Sequence, residues 1–128
     1  MTKTPSLMSL HLGYRLCIAE MNEDINVLRI FDDYITELQS LKDHEEVKDG
    51  IKEFEEKFVE LRKDIDDLRH EMHLQKMKLA SYSREMKAYT PVMYNDDRHE
   101  ELKQEYDQFR QKFDRVKKEF GEFTGAWL

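Results

Sequence analysis

The residues whose types and spacing could do chemistry are concentrated in LRHEMHLQKMKL, residues 68 to 79. His70, Glu71 and His73 lie within one helical turn, and imidazole and carboxylate groups are common ligands of zinc. The zinc-protease motif needs its two histidines four residues apart, with a glutamate directly after the first. Here the histidines are three residues apart, so the spacing does not predict that motif.

The middle of the chain carries a regular apolar pattern that must position this stretch. Apolar side chains recur at alternating steps of four and three residues, the spacing of the core positions of a coiled coil. We call these positions the inner seam: Val47, Ile51, Phe54, Phe58, Leu61, Ile65, Leu68, Met72, Gln75, Leu79, Tyr82, Met86 and Tyr89. The pattern predicts one helix over residues 44–89, ending before Pro91 because proline disfavours helical geometry in the preceding residue.

The inner seam turns Met72 toward the bundle and therefore places His70 and His73 at outward positions. Di-metal helical bundles use Glu-x-x-His motifs that project into the core. Asp67 precedes His70 at that spacing, but its side chain is shorter and His70 points outward. Asp67, His70 and His73 are the candidates for a metal site, and the pattern favours neither a metal nor another cofactor.

A second apolar stripe runs along the same helix, off the inner seam. It consists of His70, Leu74, Met77 and Ser81, at steps of four, three and four, and we call it the outer stripe. Two interpretations remain open. The first and third helices of the same chain both cover it, or a second copy or another protein binds there. Methionine suits either interpretation, because its flexible thioether fills irregular gaps.

The last segment repeats the steps of three and four residues. Its positions are His99, Leu102, Tyr106, Phe109, Phe113, Val116, Phe120 and Phe123. They predict a helix over residues 96–123, ending near Gly121 to Gly125, with residues 124–128 as a flexible tail like residues 1–5. The connection before this helix contains Val92, Met93 and Tyr94, which either fold back onto the bundle or dock a partner.

The first segment predicts a broader helix over residues 7–42, with two overlapping apolar stripes. They are Tyr14, Ile18, Met21, Ile25, Leu28 and Ile35, and Val27, Phe31, Tyr34, Leu38 and Leu41. A wide apolar face contacts more than one neighbour. We favour a turn within residues 40–50, where Asp43 and Glu46 have capping-box spacing and Gly50 could end a helix. The alternative is one helix over residues 7–89, which would force a dimer.

Charge changes sign along the middle helix. Residues 43–67 contain eleven acids and five bases, whereas residues 68–89 contain two acids and five bases. This order suits the helix dipole. It also suits antiparallel pairing of two copies, where the acidic end of one lies beside the basic end of the other. A solvated face and a pairing face both remain possible.

Composition excludes several functional classes. Of 128 residues, 38% are charged, only four are glycine and two are proline, and the mean hydropathy is −0.86. This composition is typical of long amphipathic helices. The net charge of −7 and the lack of a basic patch argue against nucleic acid and anionic membranes as partners. Cys17 is the single cysteine, so no internal disulfide forms, and no apolar run is long enough for a membrane span.

We therefore expect an all-α protein, with residues 1–128 forming one domain. Its architecture is predicted to be an elongated antiparallel three-helix bundle or coiled coil that dimerises. No glycine-rich phosphate loop or Ser-His-Asp arrangement predicts an enzyme. We expect a soluble cytoplasmic protein that acts through self-assembly or binding of another protein. The expected interaction residues are His70, Leu74, Met77, Ser81, Val92, Met93 and Tyr94. The alternative is a metal- or cofactor-binding four-helix bundle formed by dimerisation.

Overall fold

The computed structural model describes residues 6–41, 43–85 and 97–128, and the side chains of these except residues 82–85 and 97. Three helices form over this range: α1 (Leu7–Leu38), α2 (Glu45–Glu85) and α3 (Asp97–Trp127). The 41 residues of α2 correspond to about 60 Å at 1.5 Å per residue. The predicted all-α three-helix bundle is confirmed.

The turn between α1 and α2 lies within the predicted residues 40–50. A short 3-10 helix, Gln39–Leu41, follows α1. The carbonyl oxygen of His44 then accepts hydrogen bonds from the backbone N–H groups of Val47 and Lys48, both at 3.1 Å, which opens α2. The alternative of one continuous helix over residues 7–89 is therefore not formed, and Gly50 lies inside α2 instead of ending α1.

Polar contacts between the helices define an up-down-up arrangement. Arg69 Nη1 on α2 donates to Asn22 Oδ1 on α1 at 2.8 Å, and Arg62 on α2 pairs with Asp32 further along α1. Higher numbers on α2 thus lie beside lower numbers on α1, so the two helices are antiparallel. Lys57 pairs with Glu119 at 3.2 Å and Arg98 with Glu71 at 2.9 Å, which makes α2 and α3 antiparallel as well.

The inner seam predicted for α2 is buried wherever its side chains are described. Ten consecutive positions, from Val47 to Leu79, are each at most 8% exposed. The seam predicted for α3 is buried from His99 to Phe120, and Phe123 is half-buried. The seam positions Tyr82, Met86 and Tyr89 lie outside the described side chains. Steps of three and four residues therefore identify the core faces of both helices.

Aromatic rings fill the core where the end of α1, the start of α2 and the end of α3 meet. Phe120 is central, with ring centroids 4.8 Å from Phe31 and 5.1 Å from both Phe54 and Phe58. Phe123 extends the cluster at 5.2 Å from Phe54. Such ring pairs contribute about 0.5–1.5 kcal/mol each beyond their buried area, so this cluster anchors one end of the bundle.

The third helix continues four residues beyond its predicted end. It runs through Gly121 and Gly125 to Trp127, where the sequence predicted a flexible tail. Trp127 packs partly buried against the core, and its ring centroid lies 5.4 Å from that of His44. Burial of the indole offsets the conformational entropy that glycine loses in a helix, so tertiary contact overrides the local stop signal.

Candidate functional site

The outer stripe of α2 lies largely in solvent. Leu74 is 41% exposed and Met77 is 65% exposed. His70 is exposed, and Ser81 is half-buried. The first interpretation of this stripe, in which α1 and α3 together cover it, therefore does not describe Leu74 or Met77. Two large apolar side chains remain in water one turn apart on the same side of a helix.

Heptad position and the start of α3 both contribute to this exposure, because Met77 follows the outward-facing His70 by seven residues. The helix α3 begins at Asp97, and Arg98 in its first turn contacts Glu71 on α2. Because the two helices are antiparallel, residues of α2 that follow Glu71 extend beyond the first turn of α3. Over this stretch α2 packs against α1 through its inner seam, while the side bearing Leu74 and Met77 faces away.

Basic groups surround the outer stripe. Residues 68–81 contain three bases and one acid, together with His70 and His73, and one of the bases, Arg69, is paired with Asp66 at 2.9 Å. The acid, Glu71, is paired with Arg98, whose hydrogen bond is the main cause of a lowered pKa of the Glu71 carboxyl. Neither Lys76 nor Lys78 forms an ion pair with another described residue. The exposed apolar pair thus lies in a positively charged setting.

The apolar loop residues Val92, Met93 and Tyr94, which the sequence grouped with the outer stripe, lie outside the described residues. The structure therefore brings together His70, Leu74, Met77 and Ser81 on one side of α2 and leaves the loop part of the predicted surface untested.

The metal candidates do not converge. His70 and His73 are exposed on the outward side of α2, and Asp67 is exposed on the side toward α3. In the described part of the chain, no group of three or more histidine, cysteine, aspartate or glutamate side chains is arranged to hold a metal ion. Within residues 68–79, the seam residues therefore face the core, while His70 and His73 face solvent.

An open groove of about 350 Å³ lies between α2 and α3. Asp64, Asp67 and Glu105 line it together with Lys112. The Lys112 ammonium is engaged with Glu60 and, at 2.9 Å, with Asp64, and the seam residues Leu68 and Phe109 form the floor. Because the lysine neutralises much of the acidic lining, the groove is a solvated junction between two helices.

A buried polar network between α1 and α3 was missed by the sequence reasoning. Arg110 donates two hydrogen bonds to the carboxylate of Asp24, from Nη1 at 3.0 Å and from Nη2 at 2.6 Å. Asp24 is 5% exposed. Glu20 approaches Arg110 at 2.9 Å and accepts a hydrogen bond from the Tyr106 hydroxyl. One cation thus joins two acids and a phenol across the α1–α3 contact.

The electrostatics of this network are set by burial and by its charges. Burial first, and then the hydrogen bond to Glu20, raise the pKa of the Tyr106 phenol well above its ordinary value. Burial alone would lower the pKa of Arg110, but the hydrogen bonds to Asp24 and Tyr106 outweigh it and raise that pKa. Near neutral pH the Tyr106 phenol is therefore protonated and the Arg110 guanidinium is charged.

The neighbouring Cys17 behaves as a packing residue. It is half-buried, and burial, followed by the charge of Glu20, raises the pKa of its thiol. Since the thiolate is the reactive form of cysteine, this position is poorly suited to nucleophilic chemistry. Further along, the Tyr14 hydroxyl contacts His99 Nδ1 between α1 and α3, and both side chains are buried.

The first helix also exposes apolar side chains. They form two groups, and within each group the residues are four positions apart. The first group, near the start of the helix, is Met8, Leu12 and Leu16, and the second, nearer its end, is Ile30 and Tyr34. The charges around the two groups differ. Bases lie beside the first group, with His11 and Arg15 on the adjoining positions, whereas acids lie beside the second.

None of the described helices is long and apolar enough to cross a membrane. No family model, curated protein or solved structure matches this chain.

Proposed function

We propose that this chain is a non-enzymatic, cytoplasmic helical-bundle protein that acts by association, and that the outer stripe of α2 is its docking surface. The single observation that carries the proposal is the exposure of Leu74 and Met77 on one side of a helix whose inner seam is already buried. Apolar side chains grouped on an otherwise charged surface are typical of protein interaction sites.

The chemistry of the stripe fits a protein partner. Leucine and methionine adapt to varied apolar surfaces, and methionine is frequent at interaction surfaces for that reason. The lysines beside them, Lys76 and Lys78, can orient a partner and exclude basic ones. A second copy of the chain is the simplest partner, so self-association is the first activity to test.

Analytical ultracentrifugation of the untagged full chain tests the proposal. The test variant is Leu74→Gln/Met77→Gln, which replaces both exposed apolar side chains. The matched control is Val59→Gln, because Val59 is on the same helix and is 65% exposed, as Met77 is. All three substitutions are at surface positions, and circular dichroism checks that each protein retains its helices.

We expect the sedimentation coefficient of the wild type to rise with concentration, and the Val59→Gln control to behave in the same way. The double variant is expected to remain monomeric over the whole range. A wild type that stays monomeric at millimolar concentration would remove self-association as the function. Association of the double variant equal to that of the control would remove the outer stripe as the surface.

A further inference from the structure

The charges around the outer stripe restrict how two copies can meet. In a two-fold contact centred on this stripe, the stripe of one copy would lie against the same stripe of the other. Residues 68–81 have three bases, two histidines and one acid. Glu71 is paired with Arg98 and Arg69 with Asp66, which leaves Lys76 and Lys78 as the cations of this stretch without an ion pair to a described residue. Such a contact therefore brings like charges together, which disfavours it.

A second surface with two exposed apolar side chains, set among acids, lies on α1. Ile30 is 52% exposed and Tyr34 is 48% exposed. They are four residues apart and so occupy the same side of the helix. Glu23, Asp33 and Glu37 adjoin them at helical spacing, and we call these five residues the acidic face of α1.

The carboxylates of this face are available for a partner. No described residue forms an ion pair with Glu23, Asp33 or Glu37, whereas the neighbouring Asp32 is occupied by Arg62. Arg29 is the one base within residues 23–37, which contain five acids. The apolar pair of α1 is therefore set among negative charge, just as the apolar pair of α2 is set among positive charge.

The other exposed apolar group of α1 is a poorer match. Met8, Leu12 and Leu16 have His11 and Arg15 beside them, which repeats the positive character of the outer stripe. The nearest acid, Glu20, is engaged with Arg110 and Tyr106. Both apolar groups of α1 are exposed, but only the group of Ile30 and Tyr34 has the negative charge that complements the outer stripe.

We propose that the outer stripe of one copy docks on the acidic face of α1 of a second copy. This inference rests on the proposed function and specifies its partner surface. The contact joins two different surfaces, so a pair held by one such contact keeps one unused surface on each copy. Association is therefore expected to continue beyond the dimer as the protein concentration rises.

Two surface variants test this arrangement by complementation. The stripe variant is Leu74→Gln/Met77→Gln, and the α1 variant is Ile30→Gln/Tyr34→Gln. Each alone lacks one of the two surfaces and is expected to sediment as a monomer. An equimolar mixture restores one contact only, so it is expected to reach twice the mass of one chain and no more. The wild type is expected to exceed that mass.

Salt provides a second readout. Raising sodium chloride from about 50 to 500 mM shortens the screening length, so a contact between opposite charges is expected to weaken several-fold in its association constant. A symmetric contact between two basic stripes would instead strengthen with salt, and that result would overturn the inference.

The outcomes separate the inference from the proposed function. An α1 variant that associates like the wild type would overturn the inference but leave the outer stripe as a docking surface. A mixture that stays monomeric, when each variant alone is monomeric, would also overturn it. A wild type that is monomeric throughout, or a stripe variant that associates like the wild type, would overturn the proposed function itself.

Discussion

Replacing Arg110 with methionine tests the buried network between α1 and α3. The Asp24 side chain is 7% exposed, and in the described structure its hydrogen bonds come from Arg110 alone. Arg110→Met keeps an apolar stem of similar length but leaves a buried carboxylate without its cation. Removing one partner of a buried ion pair costs about 3–5 kcal/mol, and we expect the free energy of unfolding to fall by about that amount.

The converse substitution, Asp24→Asn, is expected to cost less. Arg110 would keep its contact with Glu20 at 2.9 Å, and its side chain is 21% exposed. We therefore expect a loss of about 1–3 kcal/mol for Asp24→Asn, from the usual cost of removing one charged hydrogen-bond partner. The free energy of unfolding of a domain is only about 5–15 kcal/mol, so both losses are measurable.

Urea unfolding followed by circular dichroism measures these differences, at a protein concentration low enough that association does not contribute. The double replacement Asp24→Leu/Arg110→Met removes both charges and is expected to lie within about 1 kcal/mol of the wild type, because an apolar pair avoids the desolvation cost. A loss below about 1 kcal/mol for Arg110→Met, or a larger loss for Asp24→Asn than for Arg110→Met, would refute this reasoning.

Three further predictions concern a close packing contact, a buried phenol and the metal candidates. A Cβ at Gly50 would overlap the ring of Phe123, so Gly50→Ala is expected to lower the free energy of unfolding by about 1–2 kcal/mol. A Cβ at Gly121 would meet open space, so Gly121→Ala is expected to raise the free energy of unfolding by up to about 1 kcal/mol. Equal urea midpoints for the two alanine variants would contradict this expectation. Because the folded state raises the pKa of Tyr106, stability is expected to be unaffected by this group below about pH 10. Above that pH the unfolded phenol ionises first, so stability falls as pH rises, and Tyr106→Phe is expected to reduce the fall measured in alkaline urea titrations. Elemental analysis of untagged protein is expected to find no stoichiometric iron, manganese or zinc. Stoichiometric metal that is lost in the variant His70→Ala/His73→Ala would favour the metal-binding alternative.

The helices α2 and α3 could be predicted from sequence because their core positions are nearly all apolar. The steps of three and four residues then stand out without reference to any partner. In α1 the same steps run through Tyr14, Cys17, Met21, Asp24, Leu28, Phe31, Ile35 and Leu38. Cys17 and Asp24 conceal this pattern, because neither is a large apolar residue. Asp24 interrupts the apolar pattern at a core position. Residues of both predicted stripes nevertheless contact the core, and the exception is Tyr34, which is 48% exposed.

An acid at a core step is itself a signal that could have revealed the network. Asp24 follows Met21 by three residues and precedes Leu28 by four, and a buried acid requires a cation on a facing helix. Arg110 adjoins Phe109 on the predicted seam of α3, which makes it a natural partner. Finding this pair also requires the alignment of α1 beside α3, and that alignment depends on the lengths of the turns.

The exposure of the outer stripe could be predicted only in part. Met77 follows the outward-facing His70 by one heptad, so the inner seam already placed it on the outward side of α2. Whether α1 and α3 reach the stripe depends on where α3 begins along α2, and that position depends on the connection between the two helices. The local pattern thus determined which residues form the stripe, and the tertiary arrangement determined that neither neighbouring helix covers Leu74 and Met77.

The central claim is that Met77 becomes covered when this protein associates. Met8 provides an internal reference, because it is 77% exposed and Met77 is 65% exposed. With methionine methyl groups labelled with carbon-13 and assigned by Met→Leu substitution, a soluble gadolinium chelate reports the solvent exposure of each. We expect the relaxation enhancement of the Met77 methyl to fall as protein concentration rises, while that of Met8 stays constant. An enhancement of Met77 that does not change at concentrations where the protein associates would contradict the account.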